Sequence, residues 1–173
     1  MSNQNKKINT NFIGIYSIPD KELMDIIIKF FDQNINLQKP GSTGDNEINT
    51  EKKDNKEIRI TPQNLNEEKY KIFLNYVEYL KKCYSAYKNT YPFLESLPSL
   101  NMGAFQIQKY EINGHCSAWH SERDNIRASE RVFAWMTYLN DVDITDGGAT
   151  VFSHYEIEIQ PKKGLTLIWP AEW

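Results

Sequence analysis

Apolar positions change their period partway along the chain, from helical spacing in the first part to alternation in the second. Leu23, Ile26, Ile27, Phe30 and Phe31 recur at three- and four-residue steps, which predicts a helix with one buried face. Ser17, followed by Pro19, Asp20 and Glu22, has the form of its start: an N-cap, an early proline and acids in the first turn. Phe12–Tyr16 ahead of it reads as a short strand. A longer helix starts at Asn64 or Asn66 with Glu67 and Glu68 behind, and Tyr91-Pro92 ends it. Tyr70, Phe73, Leu74, Val77, Leu80 and Tyr84 share one of its faces, an aromatic stripe that reads as core.

The alternating half starts at Phe105–Tyr110, where Phe105 and Ile107 take one face and Gln106, Gln108 and Tyr110 the other. The strand Arg131–Asn140 is apolar on both faces and is expected to be central and covered on both sides. Gly147-Gly148 allows a tight turn before Ala149–Phe152, and the runs at Ile157–Ile159 and Leu165–Trp169 complete the set. Helices first and strands after predict an α+β domain with helices backing one sheet of a barrel-like sandwich. The expected divisions are a loose terminus at 1–10 and one domain at 11–173, with helical support over 17–92 and a β-core over 103–173. Between the helices, Lys39–Glu57 has almost nothing to bury and reads as a long surface loop, either an insertion or a lid over a site. Ile58–Ile60 follows as a short strand closed by Pro62.

Composition narrows the classes. A chain of 173 residues with 40% hydrophobic and 13% aromatic content is enough for one domain with a core. A formal net charge of −3 provides no basic footprint for nucleic acid, and no apolar run reaches membrane-spanning length. The opening residues lack the apolar core of a secretory signal, and Cys83 and Cys116 make no disulfide framework, so the expectation is a cytoplasmic protein with reduced thiols and neither nucleic-acid nor membrane partners.

The chemistry centres on Trp119-His120-Ser121-Glu122. In an extended strand residues i and i+2 share a face, so His120 Nε2 and the Glu122 carboxylate are placed to grip one ion; the plain alternative is a histidine and a glutamate on a solvated strand end. Other candidates are weaker. His115-Cys116 lacks the further ligands of a zinc site, and Asp141, Asp143 and Asp146 lack the ligand spacing of a calcium loop. Arg123, Asp124, Arg127, Glu130 and Arg131 read as a solvated link with exposed ion pairs. His154 falls in the loop after Phe152 and is not assigned to a metal.

Together, Trp-His-x-Glu at 119–122, Gly-Gly-x-Thr-x-Phe at 147–152, Pro-x-x-Gly at 161–164 and Trp169-Pro170 closely resemble the iron(II)/2-oxoglutarate dioxygenases of the prolyl 4-hydroxylase-like group. The resemblance covers about the last 70 residues well and the rest in outline. It implies a double-stranded β-helix (a jelly-roll, cupin-like barrel) and a facial triad of two histidines and a carboxylate, with His120 and Glu122 as two of the ligands. It implies iron(II) and 2-oxoglutarate as cofactor and cosubstrate, with ascorbate as a rescuing reductant, and hydroxylation of an unactivated C–H bond, such as that of a peptidyl proline, with release of succinate and carbon dioxide. Tyr110 stands where the family often has a tyrosine bonded to 2-oxoglutarate, although a wall tyrosine is an equal reading; Thr150 falls near the cofactor. Trp119, Trp135 and Trp169 are expected to wall the barrel.

Two departures from the pattern matter. Glu122 replaces the commoner aspartate, and the distal histidine with the Lys or Arg that follows it is expected beyond Trp173, so that the chain reads as C-terminally truncated with its last strands missing. A charge-assisted contact of that kind is worth about 1.5–3 kcal/mol to the cosubstrate. Two alternatives stay open: a non-catalytic jelly-roll binding module or degenerate relative lacking the third ligand, and a cupin-like metalloenzyme, which calls for His-x-His where this chain has His-x-Glu.

Overall fold

Helix α1 (Lys21–Gln33) begins at Asp20, whose carboxylate accepts a hydrogen bond from the Leu23 backbone N–H at 3.0 Å. Ser17, expected as that cap, is instead the last residue of strand β1 (Gly14–Ser17), because Pro19 holds its predecessor extended and the helix starts only beyond it. The structure, a computed structural model, describes residues 11–43 and 47–173; the stretch 1–10, expected to be loose, lies outside the described residues. Leu23, Met24, Ile27, Phe30 and Phe31 form the buried face of α1, while Ile26, expected inside, is exposed.

Strands β2 (Lys39–Pro40), β3 (Lys53–Asp54) and β4 (Lys56–Ile60) occupy the ends of the stretch read as one long loop. That expectation is corrected: Lys39 pairs with Glu57 and Pro40 with Lys56, so the polar segment leaves and rejoins a sheet. Polar strands this short carry no hydrophobic alternation, and only their partners reveal them. After β4, Thr61 and Asn64 cap each other across the 3-10 turn Pro62–Asn66, so helix α2 (Ile72–Thr90) starts later than its acidic lead-in suggests. Its buried residues are Phe73, Tyr76, Val77, Leu80, Cys83 and Tyr87; Leu74 is exposed and Tyr84 only partly buried. The inward face is rotated because two tyrosine hydroxyls find partners inside: Tyr76 is 3.0 Å from the Thr137 hydroxyl, and Tyr87 donates to the Phe12 carbonyl at 2.8 Å.

The second half contributes β5 (Phe105–Lys109), β6 (His115–Cys116), β7 (Phe133–Thr137), β8 (Thr150–Phe152), β9 (Ile157–Ile159) and β10 (Leu165–Pro170). Among the described residues every pairing is antiparallel, in four small sheets ordered β1-β10-β7, β2-β4-β5, β3-β6 and β8-β9. The expectation that the 131–140 segment is central is corrected. β10 is the central strand, and β7 lies at the edge of that sheet, paired with β10 from Phe133↔Pro170 to Thr137↔Thr166.

Both faces of β7 are nonetheless covered. Phe133 and Trp135 pack on the core formed by α1, α2, Ile58, Ile60, Ile107 and Ile168. Ala134 and Met136 face a second core, where Phe152 and Ile159 from β8-β9 meet Ile13, Tyr138, Leu167 and Trp169. The sheet β1-β10-β7 therefore has helices on one side and a small sheet on the other, as its double-sided apolar pattern requires. Gly164 closes the turn into β10: its N–H donates to the Tyr138 carbonyl at 2.7 Å, and its own carbonyl accepts from Ile18 N–H at 2.8 Å.

Candidate functional site

His120 and Glu122 do converge, but by a route other than strand alternation. β6 ends at Cys116 and no ladder holds residues 118–122, so the expected strand around the pair is absent and they sit on a loop and a turn. The loop is pinned from below. Glu122 N–H donates to the Ala171 carbonyl at 2.9 Å, Ala171 N–H donates to Val132 at 3.0 Å, and Arg123 is paired with Glu172. These bonds fix the Glu122 backbone where β10 ends and β7 begins.

Hydrogen bonds orient both side chains of the pair. His120 Nδ1 lies 2.8 Å from the Ala118 carbonyl, an acceptor that keeps the proton of the neutral ring on Nδ1 and leaves the Nε2 lone pair free. Nε2 faces Glu122 Oε1 at 3.8 Å. Nitrogen and carboxylate ligands lie about 2.0–2.2 Å from a bound divalent ion such as zinc. Two donors in neighbouring positions on one ion are therefore about 3 Å apart, so this pair would have to close by ~0.8 Å to hold one. The other carboxylate oxygen, Oε2, accepts from Arg131 Nη1 at 3.1 Å, and the same nitrogen donates to the Glu122 carbonyl at 2.9 Å. Sequence reasoning placed Arg131 in a solvated charge run; its position beside Glu122 depends on the fold bringing 122 and 131 to one edge.

The remaining predicted residues lie elsewhere. Tyr110 follows β5 and donates its hydroxyl proton to Gln108 Oε1 at 2.9 Å. Gln108 donates to Gln106 at 3.0 Å, and Gln106 to Glu57 Oε1 at 2.9 Å, so the polar face expected of this strand exists as one hydrogen-bonded train. Tyr110 is 41% exposed as a whole, but partial desolvation of its phenol pushes the pKa up, with Cys116 and Glu57 adding to the rise and Asn55 opposing it. Burial also pushes the Cys116 thiol up, with Lys53 opposing and Glu122 adding. Cys116 is thus within electrostatic reach of Tyr110, Lys53 and Glu122.

Thr150 accepts from the Tyr138 hydroxyl at 2.6 Å and contacts Met136 Sδ at 3.4 Å. Neither the Tyr110 nor the Thr150 hydroxyl is bonded to His120 or Glu122. The polar train ends in residues that sequence reasoning passed over: Glu57 and Lys53, whose only signal is the polar half of the alternation leading into Ile58 and Ile60.

Other candidates resolve into ordinary roles. His115 belongs to β6 rather than a turn and contacts two backbone carbonyls; Asp143 caps the turn Ile144–Asp146 through Thr145; Asp141 accepts from Lys163 N–H at 2.8 Å. His154 lies in the exposed turn Ser153–Tyr155. Trp119, expected in the wall, is 71% exposed, whereas Trp169 is buried against Phe152 with ring centres 5.5 Å apart. Among the described residues no group of three or more His, Cys, Asp or Glu side chains is placed to hold a metal, and no helix is long and apolar enough to cross a membrane. No family model, no curated protein and no solved structure matches the chain.

Proposed function

We propose that the chain is an iron(II)- and 2-oxoglutarate-dependent dioxygenase of the prolyl 4-hydroxylase-like group, built on a jelly-roll whose helices back one sheet, and that it works in the cytoplasm. The observation that carries this reading is the preparation of His120 and Glu122: a tautomer set by Ala118, and a free carboxylate oxygen opposite the free ring nitrogen. Iron(II) held there, with a histidine as third ligand, would supply oxidative decarboxylation of 2-oxoglutarate and hydroxylation of an unactivated C–H bond. His120 offers Nε2, Glu122 offers Oε1, and the backbone tie to Ala171 keeps the carboxylate beside the ring. Tyr110 reaches the cosubstrate only by leaving Gln108, since its one proton is committed there. Thr150 supports the wall through Tyr138. A peptidyl proline is the substrate class the resemblance favours, with ascorbate as reductant.

The test is succinate release from 2-oxoglutarate by the protein loaded with iron(II). His120→Ala abolishes turnover on this reading, and unchanged turnover would remove His120 from the site. One observation favours the non-catalytic alternative: among the described residues the site has two donors and no third. Failure of the protein to take up iron(II) would establish that alternative.

A further inference from the structure

Independently of any metal at His120 and Glu122, we propose that an extended segment of a partner polypeptide, alternating apolar and polar residues, docks between β5 and β7 as an added strand. Each of the two ends the order of its sheet, so each has one edge without a neighbouring strand among the described residues. Backbone bonds fix which groups of β7 are free. The Val132 carbonyl accepts from Ala171 N–H at 3.0 Å, and Tyr138 N–H donates to the Leu165 carbonyl at 3.0 Å. By alternation Ala134 and Met136 also turn their backbone groups toward β10. The N–H and C=O of Phe133, Trp135 and Thr137 therefore point away from β10, and among the described residues no backbone group bonds to them.

The two open edges are neighbours. The Phe105 and Trp135 rings lie 6.4 Å apart, and Tyr76 of α2 reaches both strands, its ring 6.1 Å from Phe105 and its hydroxyl 3.0 Å from that of Thr137. Partly buried amides and carbonyls over this aromatic floor are matched by another backbone, which offers donors and acceptors at the same two-residue repeat. Edge protection contrasts within one sheet. The outer strand β2 is two residues long, a lysine and a proline, both of which discourage pairing. β7, Phe-Ala-Trp-Met-Thr, has five residues with no charge and no proline, and β5, Phe-Gln-Ile-Gln-Lys, has five with a single lysine at its end. Such an unguarded edge is suited to being covered. The flanking faces specify the occupant: Tyr76, Phe105 and Trp135 receive apolar side chains on the helix side, and Gln106 and Gln108 receive polar ones on the other.

The test is site-resolved amide exchange, followed by NMR on the full chain, with a heptapeptide alternating threonine and valine as probe. The peptide is expected to slow exchange at Phe133, Trp135 and Thr137 by about tenfold or more, and to leave Ala134 and Met136, already bonded to β10, unchanged. N-methylation of its three valines, which removes every donor along one edge, should abolish the protection. A peptide of the same composition with the valines contiguous should give none. No slowing at about 1 mM peptide, or equal slowing by the contiguous-valine peptide, overturns the proposal. Protection that rises with protein concentration in the absence of peptide, together with a dimer in sedimentation, assigns the edge to a second copy of the chain and overturns the partner assignment.

Discussion

Lys53 Nζ lies 3.1 Å from Glu57 Oε2, with the two side chains only 11% and 8% exposed. Lys53 also donates to the Ser42 carbonyl at 3.3 Å, and Gln106 donates to the other Glu57 oxygen, so both charges are paired and hydrogen-bonded. A buried pair of this kind adds little net stability over apolar residues of the same size, but losing one partner leaves an uncompensated charge. Lys53→Met or Glu57→Leu alone should lower stability by about 3–5 kcal/mol, and the double variant should regain most of that loss. Urea unfolding measures it. Single variants within about 0.5 kcal/mol of wild type would show that the pair is solvated in solution.

Asn55, one alternation before Glu57, behaves differently. It is 7% exposed, and its amide makes no close hydrogen bond among the described residues, the Tyr110 hydroxyl lying near it without meeting hydrogen-bond geometry. An unsatisfied buried polar group costs about 1–3 kcal/mol, so Asn55→Leu should leave stability unchanged or raise it. Gly41 sits directly over this amide, donating its N–H to the Asn55 carbonyl at 2.9 Å, and a Cβ there would collide with Asn55 Oδ1. Gly41→Ala should therefore destabilise the protein, and Gly41→Ala combined with Asn55→Ala should be tolerated. Thermal unfolding of the four proteins decides it. A marked loss in Asn55→Leu would mean that an ordered water or ligand satisfies the amide.

What the chain disclosed about itself follows the range of its interactions. Helix α1 and the end of α2 at Tyr91 were readable because caps and periodicity are local, yet the inward face of α2 was not, since Tyr76 and Tyr87 are drawn inside by Thr137 and the Phe12 carbonyl. The strands β3 and β6 are two polar residues each, paired Lys53↔Cys116 and Asp54↔His115 across sixty-odd positions, and neither has a periodicity to detect. His120 and Glu122 meet through a loop pinned to Ala171 rather than through strand alternation, which also explains why Arg131 was unreadable as their neighbour.

His115 makes stability depend on pH. Its Nδ1 is 3.3 Å from the Asn113 carbonyl and its Nε2 3.2 Å from the Glu51 carbonyl. Both partners are acceptors, so only the doubly protonated ring can satisfy both, and these two contacts raise the pKa of the ring. The folded pKa lies above the unfolded value, near 6.5. The stabilisation is therefore fully present below about pH 6.5 and is lost as pH rises through the raised folded value. Hydrogen exchange at Lys53 and Cys116 should accelerate across that window, and His115→Gln should abolish the dependence. A ring that titrates below the unfolded value in NMR would reverse the sign and refute it.

Gly164 and Gly147 separate backbone strain from collision. Their φ angles are nearly the same, +79° and +75°, so alanine at either position adopts an unfavourable left-handed conformation, at a cost of about 1–3 kcal/mol. Their surroundings differ. A Cβ on Gly147 would meet nothing within 4 Å, whereas one on Gly164 would lie 2.5 Å from the Ile18 backbone carbonyl, which cannot swing aside as a side chain can. Gly164 also bonds to Tyr138 and Ile18, so any shift strains the junction of β1, β7 and β10. Gly164→Ala should cost at least about 1 kcal/mol more than Gly147→Ala and should expose the Ile18 amide to exchange, while Gly147→Ala leaves that amide protected. Equal losses in the two variants would mean that the turn into β10 relaxes freely, and that the register of β10 is held by its two flanking strands rather than by this glycine.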